Sequence, residues 1–319
     1  MTTQTTRYAT SSRAFRTDIL PWRLYQKGKQ LAWDPAELDF TVDAEHWRQQ
    51  DERLREGVTR LATTFMVGEE AVTLDIVPLI RAVAESGRVE ETLFLTTFLG
   101  DEAKHAEMFR TWFAAIGKEG PFDAYLTNAQ RAIFDEDLPR AMSRLDSDRS
   151  PEAFLDASLT YNHFVEGVLA MTGYWAWHRI FTMLNLFPGM RQGIALVQRD
   201  ERRHLAYGTY LCRRIVAEHP ETWGFVQERM ETLRLSGLEF VSDIGSAFFD
   251  EFKAAAGDDA ASLAQFEMLA KAMMDEFTQY GEQQLTRRLH AIGVAREQSV
   301  SDIERDTVEE ELEADLEKV

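Results

Sequence analysis

Two stretches of the chain carry the same set of chemically active side chains: Asp101-Glu102-Ala103-Lys104-His105 and Asp200-Glu201-Arg202-Arg203-His204. In each, a glutamate and a histidine stand three residues apart within a helical pattern, so carboxylate and imidazole share one face and can grip one ion. A lone pair of this kind is usually solvated. Here the flanks are apolar: Leu95, Phe98 and Leu99 precede Glu102, Met108, Phe109 and Trp112 follow it, and Ala195, Leu196 and Val197 precede Glu201. Each copy is also preceded, at helix-hairpin distance, by another glutamate in an apolar stretch, Glu69 and Glu166. Four carboxylates and two imidazoles from four helices are the ligand set of a dinuclear metal centre in a bundle core. Buried carboxylates need partners, and two metal ions would satisfy all four at once.

Long helices must position these groups. One is expected to start near Asp43, an N-cap candidate, and to run past Glu69 toward Gly87, bent or broken at Pro78. The next spans about Arg88 to Ile116 and is ended by Gly117 and Gly120-Pro121. Residues 121–150 read as one or two short helices. Pro151 opens the third ligand helix, which carries Tyr161 and Glu166 and stops at Phe187-Pro188-Gly189. The fourth runs from about Met190 to Glu218, and further helices are expected near 221–256 and 259–292. No segment alternates like a strand, so the fold class is all-α. The order Glu, Glu-x-x-His, Glu, Glu-x-x-His is an internal repeat that builds a pseudo-symmetric four-helix bundle.

The ends read differently. Residues 1–43 look like an irregular, aromatic-rich arm with little helical periodicity, ordered against the bundle from about Thr17. Glu297 to Val319 is acidic, with a weak apolar stripe at Ile303, Val308, Leu312 and Leu316, and reads equally as a short helix or as a disordered, solvated tail. The expected division is therefore a flexible arm over 1–16, one domain over 17–293, and an acidic tail over 294–319. With 45% hydrophobic residues in 319, the chain can bury a large core. Its 35 basic against 54 acidic residues, a formal charge of -19, leave no basic block for nucleic acid. The single cysteine, Cys212, excludes an internal disulfide and a thiolate zinc cage, and fits a reducing, cytoplasmic setting. The most apolar run, Val168 to Met190, has His178 and Arg179 at its middle, which favours a buried helix over a membrane span.

As a set, Gly68-Glu69-Glu70-Ala71-Val72, Glu102-Ala103-Lys104-His105, Tyr161-Asn162-His163-Phe164-Val165-Glu166 and Asp200-Glu201-Arg202-Arg203-His204 resemble the ribonucleotide-reductase small-subunit superfamily of the ferritin-like fold. More closely, they resemble its ligand-binding oxidase branch, over about Pro21 to Tyr280. The resemblance implies metal ligands Glu69, Glu102, His105, Glu166, Glu201 and His204 around a mixed manganese/iron centre that activates dioxygen. Glu70 rivals Glu69, but Glu69 shares its face with Ala62, Phe65, Met66, Val72 and Ile76, the more apolar set. The branch also joins a valine β-carbon to a tyrosine oxygen, here Val72 and Tyr161. Tyr161 stands five residues before Glu166, about 140° away on a straight helix, so the link requires a distortion such as a π-bulge. Trp33 and Asp200 match a tryptophan and an aspartate that orient a ligand histidine, here His105.

The same resemblance implies two-electron oxidation of a hydrophobic substrate, a long-chain fatty acid held with its carboxylate at the metals, and a homodimer. Phe109 stands where radical-bearing reductase subunits have tyrosine, and no aromatic residue follows Tyr280. Both departures count against a reductase subunit. An iron-storage protein or a non-catalytic ligand-binding or oxygen-sensing protein are the other readings. His163 is expected to be a hydrogen-bonded core residue, Lys104 a solvated or salt-bridged neighbour, and Tyr174, Trp175, Trp177, His178 and Phe181 to pack between helices.

Overall fold

The computed structural model describes residues 14–256 and 260–305. Helices α1 to α5 are Leu20–Gln30, Thr41–Gln49, Glu52–Asp75, Val77–Glu85 and Val89–Ala115. Helices α6 to α9 are Asn128–Arg131, Leu138–Ser143, Pro151–Ser158 and Met171–Met183. Helices α10 to α13 are Pro188–Glu218, Trp223–Ala256, Ala260–Val294 and Val300–Arg305, and no strand occurs among the described residues. Two stretches are π-helical: Ala132–Asp137, and Leu159–Ala170, which joins α8 to α9 without a break.

The bundle consists of α3, α5, the rod from α8 to α9, and α10. Helix α3 packs on α5, and α10 packs on both α5 and the π-helical segment. On α5 the buried side chains Leu95, Phe98, Glu102, His105, Phe109 and Trp112 form one stripe at three- and four-residue spacing. Two carboxylate-and-imidazole positions thus occupy places in an otherwise apolar seam. The core is divided around them: Phe98, Val72 and Ala206 belong to one apolar cluster, and Phe109, Met66 and Val197 to another. Along α3, α5 and α10 the ionisable groups lie where one cluster gives way to the other.

Several expectations need correction. The first 43 residues are not irregular throughout, because Leu20–Gln30 is helical. Pro21 lies in the first turn, where its missing N–H has no partner to lose, and Leu20, Leu24 and Gly28 make a buried i, i+4, i+8 stripe. The helix expected from Asp43 to Gly87 is three helices, interrupted at Gln50-Asp51 and at Ile76, and the Asp51 side chain caps α3 by accepting from the Leu54 N–H at 2.9 Å. Of the C-terminal apolar positions only Ile303 is described, and it is buried in the core. Val308, Leu312 and Leu316, like residues 1–13, lie outside the described residues.

Asp43 is not the N-cap of its own helix. It lies inside α2, and its carboxylate accepts from the Gly189 and Met190 N–H groups, each at 2.8 Å, and from the Trp112 indole at 3.0 Å. Helix α10 begins at Pro188, directly after Phe187 in the left-handed region at φ 50, and it has no side-chain cap of its own. A remote aspartate therefore satisfies the first amides of a ligand helix and opposes its dipole. Asp43→Ala is expected to cost about 2–3 kcal/mol in denaturant unfolding, because buried donors lose a charged acceptor.

Candidate metal centre

Six side chains from the four bundle elements meet in the layer between the two apolar clusters. Glu69, Glu102, His105 and Glu201 bring one atom each within 4.8 Å of one another, and so do Glu102, Glu166, Glu201 and His204. Glu102 and Glu201 belong to both groups and so lie between two positions. His105 Nδ1 is 3.3 Å from Glu69 and 3.5 Å from Glu201, and His204 Nδ1 is 3.0 Å from Glu102 and 3.4 Å from Glu201. Yet both Glu102 oxygens, Glu166 Oε1, Glu201 Oε2 and the Nδ1 atoms of both histidines are buried without a hydrogen-bond partner. Orphaned acceptors turned toward common points are costly in a protein interior unless cations sit there. The donor set fits two divalent ions of intermediate hardness, whose charge four carboxylates would balance.

A second layer orients the imidazoles. His105 Nε2 lies 3.3 Å from Asp200, which also accepts from the Trp33 indole at 2.7 Å. His204 Nε2 lies 3.4 Å from Asp101. Each aspartate serves the histidine of the opposite motif, which places the ring proton on Nε2 and leaves the Nδ1 lone pair facing the carboxylates. Arg203, 2% exposed, donates at 2.7 Å to both Asp101 and Asp200. Lys104 approaches the same two aspartates at 2.7 Å, so it is a salt-bridged, largely buried neighbour. The repeated Asp-Glu-x-x-His gives Asp101 the same position as Asp200, so its role is visible in the spacing.

The π-helical segment resolves the register problem of the third ligand element. Its i→i+5 bonding brings residues five apart onto one face, so both Tyr161 and Glu166 point inward. The Tyr161 hydroxyl donates to the Val72 carbonyl at 3.1 Å, and Asn162 donates to Glu166 at 3.0 Å. Glu69 is buried in the cluster, whereas Glu70 faces outward to Arg110. His163 is buried outside both groups, and burial together with the Arg288 charge pushes it down to about 3, leaving a neutral imidazole. Tyr174 was expected only to pack, but its hydroxyl donates to Glu69. It stands eight residues past Glu166, two turns on and on the same face, a spacing that could have revealed it.

A small, partly open apolar cavity of about 70 Å³ reaches the cluster. Leu61, Phe65, Val72, Phe134, Leu169 and Phe240 form its walls, and Glu69, Glu102, Glu166 and Glu201 its polar end.

Protonation of the metal-free cluster follows from its burial. Desolvation and the neighbouring Glu201 raise Glu166 from 4.5 to about 7 and raise Glu102 as well. Burial opposes charge on His105 and His204, but the surrounding carboxylates outweigh it and raise both. A raised carboxyl costs nothing below its unfolded value, destabilises increasingly as pH climbs from there to its folded value, and carries a constant cost above it. Raised imidazoles stabilise below their unfolded value, and that contribution is lost at higher pH. Both effects weaken the metal-free protein as pH rises, while metal ions, which compete with protons, bind more tightly. The gap in unfolding temperature between metal-loaded and chelator-treated protein should therefore widen from about pH 5.5 to 8, as calorimetry would show.

The family model of the ribonucleotide reductase small chain matches residues 18–291. An R2-like ligand-binding oxidase with a tyrosine-to-phenylalanine substitution and anaerobically reconstituted Mn/Fe cofactor is 33% identical, with a TM-score of 0.79 over 89% of this chain and 97% of that one. A glycine-to-leucine variant, also with anaerobically reconstituted Mn/Fe cofactor, gives 0.80 at the same identity and coverage. A valine-to-leucine variant with the aerobically reconstituted cofactor gives 0.79. The all-helical bundle, the buried carboxylate and imidazole cluster and these matches lead to one conclusion: the chain belongs to the ribonucleotide reductase small chain family and, within it, to the R2-like ligand-binding oxidases, as a ferritin-like dimetal oxidoreductase.

Proposed function

We propose that the centre holds manganese and iron, bound by Glu69, Glu102, His105, Glu166, Glu201 and His204, and that the protein uses dioxygen for two-electron oxidations. The first would join the Val72 β-carbon to the Tyr161 oxygen. Later ones would act on a long-chain fatty acid or similar hydrophobic substrate. The observation that carries this reading is the apolar cavity with Val72 in its wall and four glutamates at its end. A chain packs along the apolar walls, and a carboxylate head is acceptable at the polar end only where cations offset the four glutamates. When bound, the two ions supply dioxygen binding and redox equivalents.

The chain's own residues set up the rest. The Tyr161 hydroxyl is held against the Val72 backbone, next to the bond that must change. Forming the ether removes one hydrogen from carbon and one from oxygen, with two electrons passing to dioxygen. Burial and the four nearby carboxylates keep the phenol protonated, so its proton leaves only as the electron does. Asn162 steadies Glu166, and Tyr174 steadies Glu69. The same reading takes 17–293 as the oxidase domain of a cytoplasmic homodimer. Among the described residues no helix is long and apolar enough to cross a membrane.

Peptide mass spectrometry after reconstitution with manganese and iron tests the proposal. Air should remove two hydrogens and link the peptides containing Val72 and Tyr161, while an anaerobic sample should stay unmodified. Solvent extraction of the same material should release a fatty acid, and Leu169→Trp, which fills the cavity, should abolish its retention without loss of metal. Unlinked peptides in a fully loaded, air-exposed sample would refute the oxidase chemistry.

A further inference from the structure

A second buried polar cluster lies outside the metal layer. Glu91, 2% exposed, sits on α5 beside the apolar core. Its two oxygens serve two phenols: Tyr207 donates to Oε2 and Tyr210 to Oε1, each at 3.2 Å. Arg88 at 3.3 Å and Arg214 at 3.7 Å hold the carboxylate's charge. Burial and Glu91 keep both phenols protonated across the ordinary pH range. A buried tyrosine loses an electron readily only if its proton has somewhere to go, since a bare charge in the interior is costly. Here each phenol already points its proton at a carboxylate.

The cluster is connected by packed rings to the metal layer. Phe98 stacks on His204 at 3.6 Å between ring centres, Phe94 is 5.8 Å from Phe98, and Tyr207 is 5.0 Å from Phe94. Tyr207 also stands one turn beyond His204 on α10, about 5–6 Å away between β-carbons. Tyr210 follows, 6.1 Å from Tyr207, within electrostatic reach of the Arg16–Glu304 ion pair, whose arginine is 36% exposed. The path therefore leads from a ligand histidine toward the molecular surface.

We propose that Tyr207 and Tyr210, with Glu91 as shared proton acceptor, form an outlet through which one oxidising equivalent leaves the centre when no substrate can be oxidised. The proposal rests on the dimetal oxidase reading above. Once Val72 and Tyr161 are joined and the cavity holds no substrate, dioxygen would leave the centre oxidised beyond what local groups can repair. Tyr207 then gives one electron to the oxidised centre and its proton to Glu91 Oε2, which leaves a neutral tyrosyl radical beside a neutral carboxyl. In the next step Tyr210 gives an electron to Tyr207 and a proton to Glu91 Oε1, while the proton on Oε2 returns to Tyr207. The net transfer is one hydrogen atom from Tyr210 to Tyr207, with Glu91 singly protonated throughout. A carboxylate shared by two phenols makes that hop neutral in charge.

The test uses the full chain, loaded with manganese and iron, cross-linked in air, then reduced and exposed to air again without added substrate. Freeze-quench electron paramagnetic resonance should show a tyrosyl signal that narrows when the protein carries ring-deuterated tyrosine. It should be lost in Tyr207→Phe, persist longer in Tyr210→Phe, and fall in Glu91→Gln. No tyrosyl signal in protein whose metal content and peptide masses prove a loaded, reacted centre overturns the outlet alone. A signal that survives in Tyr207→Phe also overturns it, placing the radical on Tyr161 or Tyr174. Failure to take up metal overturns the oxidase reading and the outlet with it. Should Tyr207→Phe not fold, Glu91→Gln decides, and an unchanged yield and lifetime there refutes the outlet.

Discussion

Alanine at Glu102 or at Glu201 is expected to abolish binding of both metal ions, whereas alanine at His105 or at His204 should remove one position and weaken the other. The difference follows from geometry: the two glutamates belong to both four-residue groups, while each histidine belongs to one. Elemental analysis after anaerobic loading would show it, as a fall to near none for the glutamate variants and to about half for the histidine ones. Stability should move the other way. Glu102 is held protonated-prone by burial and by Glu201, so the chelated wild type carries a cost that Glu102→Ala relieves. Without Glu102 its desolvation cost and its repulsion with Glu201 are gone, and the chelated variant should unfold at higher temperature than the chelated wild type. Equal metal content in the glutamate and histidine variants would refute the shared role of Glu102 and Glu201.

Arg203→Met should be among the most destabilising single substitutions in the chain. The guanidinium links Asp101 and Asp200 across the pseudo-two-fold, at 2.7 Å to each, and is almost wholly buried. Both aspartates are held well below the ordinary range against the cost of burial, through His204 and Arg203 at Asp101 and through His105, Arg203 and Lys104 at Asp200. Removing one partner from a buried ion pair leaves an uncompensated charge and costs about 3–5 kcal/mol. Denaturant unfolding at neutral pH would measure the loss. The substitution should also weaken metal retention roughly 10–100-fold, because aspartates freed of Arg203 no longer fix the two imidazoles. Arg203→Lys, which keeps the charge but not the fork, should recover stability better than it recovers metal binding.

The clustering of Glu69, Glu102, His105, Glu166, Glu201 and His204 was legible because helix geometry turns a spacing of three into a shared face, and apolar neighbours show which face is inward. The helical course of 88–116 and 190–218 was legible for the same reason. Other features were hidden because they depend on partners distant in sequence. Asp43 reads as a local cap, yet its acceptors are used by amides at the start of α10, 146 and 147 residues away. Leu20–Gln30 was overlooked because a short stripe ending in Gly28 is weak until it packs on α5. Tyr174 looked like one more aromatic in an aromatic run, and only its placement opposite Glu69 distinguishes it.

Local rules by themselves thus determined that this chain is helical, that it carries two Glu-x-x-His pairs and two further inward glutamates, and that these could hold two ions. Which glutamates lie between the two positions, which aspartate faces which histidine, how the π-helical turn aligns Tyr161 with Glu166, and where the apolar cavity reaches the cluster were decided by tertiary packing. The physical reason is that face and spacing are properties of one helix, readable within a few turns. Distances between helices depend on how their side chains interlock, and no single segment encodes them.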